Sequence, residues 1–404
     1  MDQQDWASLR SLGMGAGNLN DPFRVSQANN NAELMAKVNR IMQIRQFLLP
    51  ALLILAGLST AKAQKYSNEF LAIGVGARGH GMGNAMSATV NDITGAYWNP
   101  AGMTNIEAPL QLAAMHAEWF AGVGQYDYIG FGKSLNRDKK SYLAFSLIRL
   151  GIDQIPYTIN LVEADGTINY DNLSEFSAAD YAITGSYARQ LRNPALSVGG
   201  TVKVIRRVIG SFGGSWGFGA DLGAQYRKGK WTVGLQARDL TTTFNAWSFN
   251  LTEREKQVFA ATNNEIPVSN TEITRPSFTL GAAYKANLGA NTTLLPTIDL
   301  LLTTDGQRNV LVSSKSFNLD PRIGLEMNYK SFLQLRTGLS NFQRYKDDFD
   351  PNKERLAIQP HFGVGLLLKR VQLDYALTRL SADTQPLYSH IFSVKLDFKP
   401  KQNS

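Results

Sequence analysis

The 404-residue chain contains no cysteine. That excludes a disulfide framework, thiolate metal sites and a cysteine nucleophile. It also has no long hydrophobic run. The most apolar stretch, residues 47–58, is about a dozen residues long, where a bilayer-crossing helix takes about 20. Mean hydropathy is −0.20, which does not mark a helical membrane protein. It leaves room for a transmembrane β-barrel, in which lipid-facing apolar residues alternate with polar lumen residues. Histidine is scarce. His80, His116, His361 and His390 show no metal-ligand spacing, so polar lumen or rim positions are expected for them. Net charge is +8, but the basic residues are scattered or sit in turns, so no nucleic-acid partner is expected.

Residues 1–41 are polar, rich in Asn and Gln, and carry no core pattern. From Met42 a basic start, the apolar run and an Ala61-Lys62-Ala63 exit make a secretory leader over 42–63. Residues 1–41 then read as a disordered upstream extension, and Gln64 as the first mature residue.

From residue 109 onward the chain alternates with period two. Trp216, Phe218, Ala220, Leu222, Ala224 and Tyr226 interleave with Gly217, Gly219, Asp221, Gly223, Gln225 and Arg227. Similar runs pass through Leu235, Leu280, Leu325 and Val394. A soluble sandwich also alternates, but two features favour a barrel. Aromatics (Trp119, Phe120, Trp216, Tyr226, Trp231, Tyr284, Tyr329, Phe332, Tyr375 and Phe398) sit at strand ends, as an interfacial girdle requires. Charges (Asp221, Arg238, Asp299, Glu326, Arg336 and Asp374) occupy the opposite face, where a dry core would penalise them and a polar lumen does not. About fourteen segments are expected, near 109–120, 123–134, 140–153, 178–192, 195–209, 215–227, 230–239, 276–287, 291–303, 319–329, 332–342, 356–369, 371–379 and 388–398. The connections near 154–177, 240–275 and 343–355 are long, and those after even-numbered strands are short, as outer loops and periplasmic turns are. The fold class is thus all-β, a transmembrane antiparallel barrel over 109–398 with a tail at 399–404.

Gly74-x-Gly76-x-x-Gly79 matches a dinucleotide fingerprint only formally, because the βαβ context is absent. Ser215 in Gly213-Gly214-Ser215-Trp216-Gly217 begins a strand, so it is not a nucleophile elbow. Asp348, Asp350, Asn352 and Glu354 lack the EF-hand glycine and read as a solvated loop. Leu251 to Phe259 reads as a helix in the longest loop, with Thr252 and Glu255 at capping-box spacing. It would serve as lid or docking surface, or only pack there. No catalytic, cofactor or metal residue is assigned, and an enzyme is not expected.

The stretch Ala77-Arg78-x-x-Gly81-Met82-Gly83-Asn84-Ala85, then Asn91-Asp92 and Trp98-Asn99-Pro100-Ala101-Gly102, resembles the PorV/PorQ family of Bacteroidota. Those proteins are outer-membrane barrels of the type IX secretion system, within the wider FadL-like superfamily. The loop around Leu251 and Asn264-Glu265-Ile266-Pro267 is similar to members of that family. The resemblance implies that residues 64–108 fold into the lumen as a hatch, with Gly74, Gly76, Arg78, Gly81, Met82, Gly83, Asn84, Asn99, Pro100 and Gly102 as its structural motif. It implies partners among outer-membrane lipid and the type IX translocon or its cargo. The alternative is a FadL-like transporter holding a hydrophobic small molecule in the lumen. A blocked lumen with an apolar patch outside the membrane band would favour interaction. An apolar pocket with a lateral opening would favour transport.

Overall fold

The computed structural model describes residues 67–119, 122–135, 140–163, 166–346, 354–379 and 388–398. The leader, the upstream extension, the tail, Phe120 and the acidic positions Asp348, Asp350 and Asn352 lie outside them.

Fourteen strands form a ring. They are β1 (Leu110–Trp119), β2 (Gly124–Ser134), β3 (Ser141–Tyr157), β4 (Ser174–Gln190), β5 (Leu196–Ile209), β6 (Gly213–Lys228) and β7 (Trp231–Arg238), then β8 (Ser277–Tyr284), β9 (Thr292–Thr303), β10 (Asn318–Tyr329), β11 (Leu333–Lys346), β12 (Glu354–Leu368), β13 (Val371–Arg379) and β14 (Tyr388–Phe398). Each pairs antiparallel with its sequence neighbour, and β14 pairs with β1, Leu110 opposite Phe398, so the fourteen-stranded ring is closed. The wall is the expected fourteen-stranded antiparallel barrel.

Parity on each strand decides which way a side chain points. Phe218, Leu222, Leu235, Leu280 and Leu325 are exposed on the outer face, as alternation requires. Val394 shares that face but is half-buried. Asp221, Asp299, Glu326 and Arg336 are buried on the inner face. On β6 the outward Trp216 and Tyr226 are ten residues apart (226 − 216). At a rise of about 3.3 Å per residue and a tilt of about 40°, they bracket a band about 25 Å tall, the height of an outer-membrane apolar belt. Tyr226, Trp231, Tyr329, Phe332 and Phe398 are exposed near the short-turn end, and Trp231 packs on Tyr284 at 4.8 Å.

Three expectations are corrected. Trp119 is not in the girdle: it is buried and packs 5.6 Å from the His80 ring. The upper end of β1 rises past the apolar band, so its outward positions are the polar His116 and Glu118, and its apolar parity turns inward. The long connections are also shorter than expected, because β3 runs to Tyr157 and β11 to Lys346. Finally, the 239–276 connection is not only loop and helix. Thr243–Phe249 pairs with the upper half of β6, and Thr271–Thr274 pairs with Thr243–Phe249, extending the wall above the band.

Candidate functional site

Residues 67–109 run down the lumen from the long-loop mouth to the short-turn mouth. At the first mouth, Asn68 Nδ2 donates to Thr274 Oγ1 at 2.9 Å and Asn245 Nδ2 donates to Ser67 Oγ at 2.8 Å. At the second, Thr104 Oγ1 donates to Ser197 Oγ and Asn105 Nδ2 to Gln225 Oε1, both at 2.8 Å. Between them lie the one-turn helices α1 (Ala77–Gly81) and α2 (Gly95–Trp98) and 3-10 turns at Glu69–Ala72 and Pro100–Asn105.

The sequence folds this way because of a few backbone-controlling residues. Gly74 and Gly76 take φ of 109° and 80°, a region that disfavours other residues. They turn the chain so that Gly76 N–H meets the Met115 sulfur at 2.9 Å and Ala77 N–H meets Ser393 Oγ at 3.1 Å. Gly83 and Asn84 are also left-handed, at 60° and 63°. Asn84 Nδ2 reaches back to Ile73 O at 3.3 Å. Asn99 Oδ1 accepts from Ala101 N–H at 3.2 Å, capping the 3-10 turn that Pro100 begins. Asn99 Nδ2 donates to Ser87 O at 2.9 Å and to Ala224 O of the wall at 3.1 Å. Gly102 lies against Val90, where a Cβ would come within 2.6 Å of Cγ1. Met82 is wholly buried.

The wall carries a matching set that sequence reading missed. A Cβ on Gly234 or Gly338 would overlap the backbone of Ser87 or Gly83. On Gly324 it would lie 2.6 Å from Met82 O, and on Gly199 2.7 Å from the Pro100 carbonyl carbon. Gly81 and Gly363 face each other, a Cβ on either falling 3.0 Å from the other's Cα. These inward glycines are therefore places where lumen backbone touches wall. Their signal was present as glycine on the inner parity, without a partner to explain it.

The lumen has two chemical halves. On β1 to β3 the inward residues are largely apolar or aromatic, including Met115, Tyr126, Tyr128, Tyr142 and Ile148, and they pack on Val75, Met86, Ile93 and Trp98, whereas β4 and β5 turn Thr184, Ser186, Ser197, Thr201 and Lys203 inward. On the opposite side Arg78 is buried between Glu326 (2.8 Å) and Asn91 (2.6 Å). Burial alone would lower the Arg78 pKa, but Glu326 outweighs it and holds the guanidinium more firmly charged than usual. Asp92 pairs with Lys395 at 3.6 Å. Burial favours its neutral form, yet the Lys395 and Arg78 charges keep its pKa below the ordinary value. His80 has no such partner: burial lowers its pKa to about 4, so it is neutral, and Nε2 donates to Gly74 O at 3.2 Å.

In the longest loop the helix α3 is Glu253–Ala261, with Thr252 as N-cap and Glu255 completing the capping box. Leu251 precedes the helix rather than beginning it, because the cap residue itself is extended. Glu255 also accepts from Tyr157 at 3.0 Å, and Arg254 donates to Val162 O at 2.8 Å, tying α3 to β3 and to the loop after it. Phe259 is half-buried. The sequence-derived residues thus fall into two places: the glycine and asparagine motif in the lumen, and Leu251, Thr252, Glu255 and Phe259 at the long-loop end.

One further site lies on the wall. A groove of about 510 Å³ opens on the outer face across β12, β13, β14 and β1. Ala114, Val364, Leu366, Leu373, Phe392 and Val394 line it with outward parity. Its back is formed by Met115, Asp374 and Ser393, which also line a small internal cavity against Gly76, Arg78 and Asp92.

No family model and no curated protein matches the sequence. Solved structures do. The toluene transporter TodX of Pseudomonas putida is 12% identical, with a TM-score of 0.52 over 83% of this chain and 100% of that one. The monoaromatic hydrocarbon channel CymD is 12% identical, with a TM-score of 0.50 over 83% and 99%. A FadL homologue of Pseudomonas aeruginosa is 14% identical, with a TM-score of 0.48 over 80% and 98%. The likeness to TodX and CymD is one of fold. With the closed wall, the apolar band and the aromatic girdle, it makes this chain an outer-membrane β-barrel.

Proposed function

We propose that the barrel passes small hydrophobic compounds across the outer membrane, in the manner of a FadL-like transporter, with the lumen segment as its hatch. The observation that carries this is the wall groove, apolar outside and backed by residues that hold Gly76 and Ala77. A shift of the segment, together with a parting of β14 from β1 where Met115 lies opposite Ser393, would join the apolar half of the lumen to the lipid side of the wall. The fold shared with a toluene transporter and a hydrocarbon channel supports the same reading. Ala114→Trp and Val364→Trp fill the groove from outside without touching the segment. Uptake of radiolabelled toluene into proteoliposomes is expected to fall about tenfold or more, equivalent to about 1.4 kcal/mol, while the barrel still shows its heat-dependent gel shift. Unchanged uptake in both variants overturns the proposal.

A second reading is favoured by a different observation. Val162, Ile168, Tyr170, Leu173, Ile266 and Val268 are exposed on connections at the long-loop end, outside the apolar band. Apolar residues there suit contact with another protein. They support a PorV/PorQ-like role in type IX secretion, with cargo or the translocon as partner and α3 as part of the docking surface. Deleting the gene would then leave type IX cargo in the periplasm. Normal secretion with lost hydrocarbon uptake selects the transporter.

A further inference from the structure

The short-turn rim of the barrel is cationic, and neither the transport reading nor the secretion reading uses it. Each of the six short turns carries an exposed lysine or arginine, in the turn or at the strand end beside it: Lys133, Arg192, Lys230, Lys285, Lys330 and Lys369. Among the described residues none of these six has a carboxylate partner, and the one exposed carboxylate described at that end is Glu107. At the long-loop end the cations are already engaged. Arg149, Arg207, Lys256 and Arg308 each bridge a carboxylate. Arg206, Arg254 and Arg275 each donate to a backbone carbonyl.

The cations of the short-turn rim sit level with its aromatic girdle. Lys330 Nζ lies 5.3 Å from the centroid of the Tyr329 ring. Lys228, on the same hairpin as Lys230, is in register with Trp231. Lys133 is in register with Leu110, which stands opposite Phe398. Girdle aromatics lie at headgroup depth, and a lysine stem can follow the apolar wall while its ammonium reaches the phosphate layer. The six turns encircle the barrel, so the cations face every sector of the rim. A protein partner would cover one sector, whereas a shell of lipid covers them all.

We propose that this rim binds anionic phospholipid, a diacyl phosphodiester with a net negative headgroup, in the leaflet that the short turns face. Short turns are periplasmic in outer-membrane barrels, so the leaflet is the inner one. A cation beside the bilayer attracts anionic headgroups, over a distance set by salt. A zwitterionic headgroup has no net charge to attract, and its ammonium is repelled by the same rim. The lipids so gathered hold the short-turn end of the barrel at headgroup depth.

The test reconstitutes the full-length barrel into phosphatidylcholine vesicles that carry a trace of spin-labelled phosphatidylglycerol or spin-labelled phosphatidylcholine. The motionally restricted part of each spectrum gives the relative association of that lipid with the barrel. Phosphatidylglycerol should be preferred by about threefold at low salt. The preference should fall toward parity as salt rises from about 0.01 M to about 1 M, which shortens the screening length from about 30 Å to about 3 Å. Lys230→Gln, Lys285→Gln, Lys330→Gln and Lys369→Gln combined should remove most of it, with the heat-dependent gel shift retained. Lys256→Gln with Lys315→Gln, at the long-loop end, should leave it unchanged. Equal association of the two lipids at low salt overturns the proposal, as does a preference that survives the fourfold variant or high salt. Capture of soluble polyglutamate without any lipid preference also overturns it and assigns the rim to an acidic protein partner.

Discussion

Arg78 of the lumen segment and Glu326 of β10 meet side on, Nε to Oε2 at 2.8 Å and Nη2 to Oε1 at 3.2 Å. Glu326 also receives Arg336 Nε at 2.7 Å, and Arg336 continues to Asp374 at 2.6 Å. The four charges balance. Arg78→Met removes one and leaves a net negative cluster against the wall. Breaking a buried pair from one side costs about 3–5 kcal/mol. The variant is expected to loosen the segment before the barrel. In planar bilayers its conductance should rise above that of the native barrel, and the double variant Arg78→Met with Glu326→Leu should recover part of the loss. A native-like conductance in the single variant would show that the pair does not hold the segment.

The wall glycines give a prediction opposite to strand propensity. Glycine within a strand is worse than alanine by about 0.5–1 kcal/mol. Gly234→Ala and Gly338→Ala should nevertheless unseat the segment, because the added methyl occupies the place of Ser87 or Gly83 backbone. Limited proteolysis should cut within 67–109 while the heat-dependent gel shift persists. Gly185→Ala is the control, since a Cβ there meets Phe145 only at an ordinary 3.6 Å. Gly81 and Gly83 should behave as the wall glycines do from the other side of the same contacts.

Leu280 is 52% exposed on the outer face in the middle of β8. Leu280→Arg puts a charge into the apolar band at a cost of about 2–4 kcal/mol near the midplane. Refolding yield into lipid vesicles, followed against urea, should fall accordingly. Refolding as efficient as the native protein would mean that the band is misplaced.

His80 predicts an acid-sensitive seat. In the unfolded or unseated chain its pKa is near 6.5, and in place it is about 4. Between those values the unseated form binds more protons, so stability present above about pH 6.5 is lost as pH falls toward 4. The full effect is about 3 kcal/mol. Asp92, held below the ordinary carboxylate value, loses its contribution only in more acid solution. Protease sensitivity of the segment should therefore rise from pH 7 to pH 4.5, and His80→Gln should flatten that rise.

How much of this was legible in the sequence depended on solvent. Within the bilayer, one face of each strand meets lipid and the other a polar lumen, so Phe218, Leu222 and Leu235 announced their direction and the strands could be counted. Above the band both faces are wet. Thr243, Asn245 and Trp247 face inward and Phe244, Ala246 and Ser248 outward, so that strand carries no apolar parity to read. Trp119 was misplaced for the same reason. The lumen segment was marked by its own glycines, but its seat was not. Gly199, Gly234, Gly324 and Gly338 lie far away in sequence, and only the curled sheet brings them to the backbone they admit.

The direction in which residues 67–109 traverse the barrel bears on how the molecule is assembled. One end is fastened among the long loops and the other continues directly into β1, beside the β14–β1 seam. Threading such a segment through a finished ring would drag Arg78 and Asp92 past an apolar part of the lumen before they reach Glu326 and Lys395 on the wall. Seating the segment while the sheet is still open avoids that step. Ser393, which accepts from Ala77, lies on the seam strand itself, so the segment and the seam share a contact. Closing the ring and seating the segment are thereby linked: whatever parts β14 from β1 also removes one of the segment's anchors.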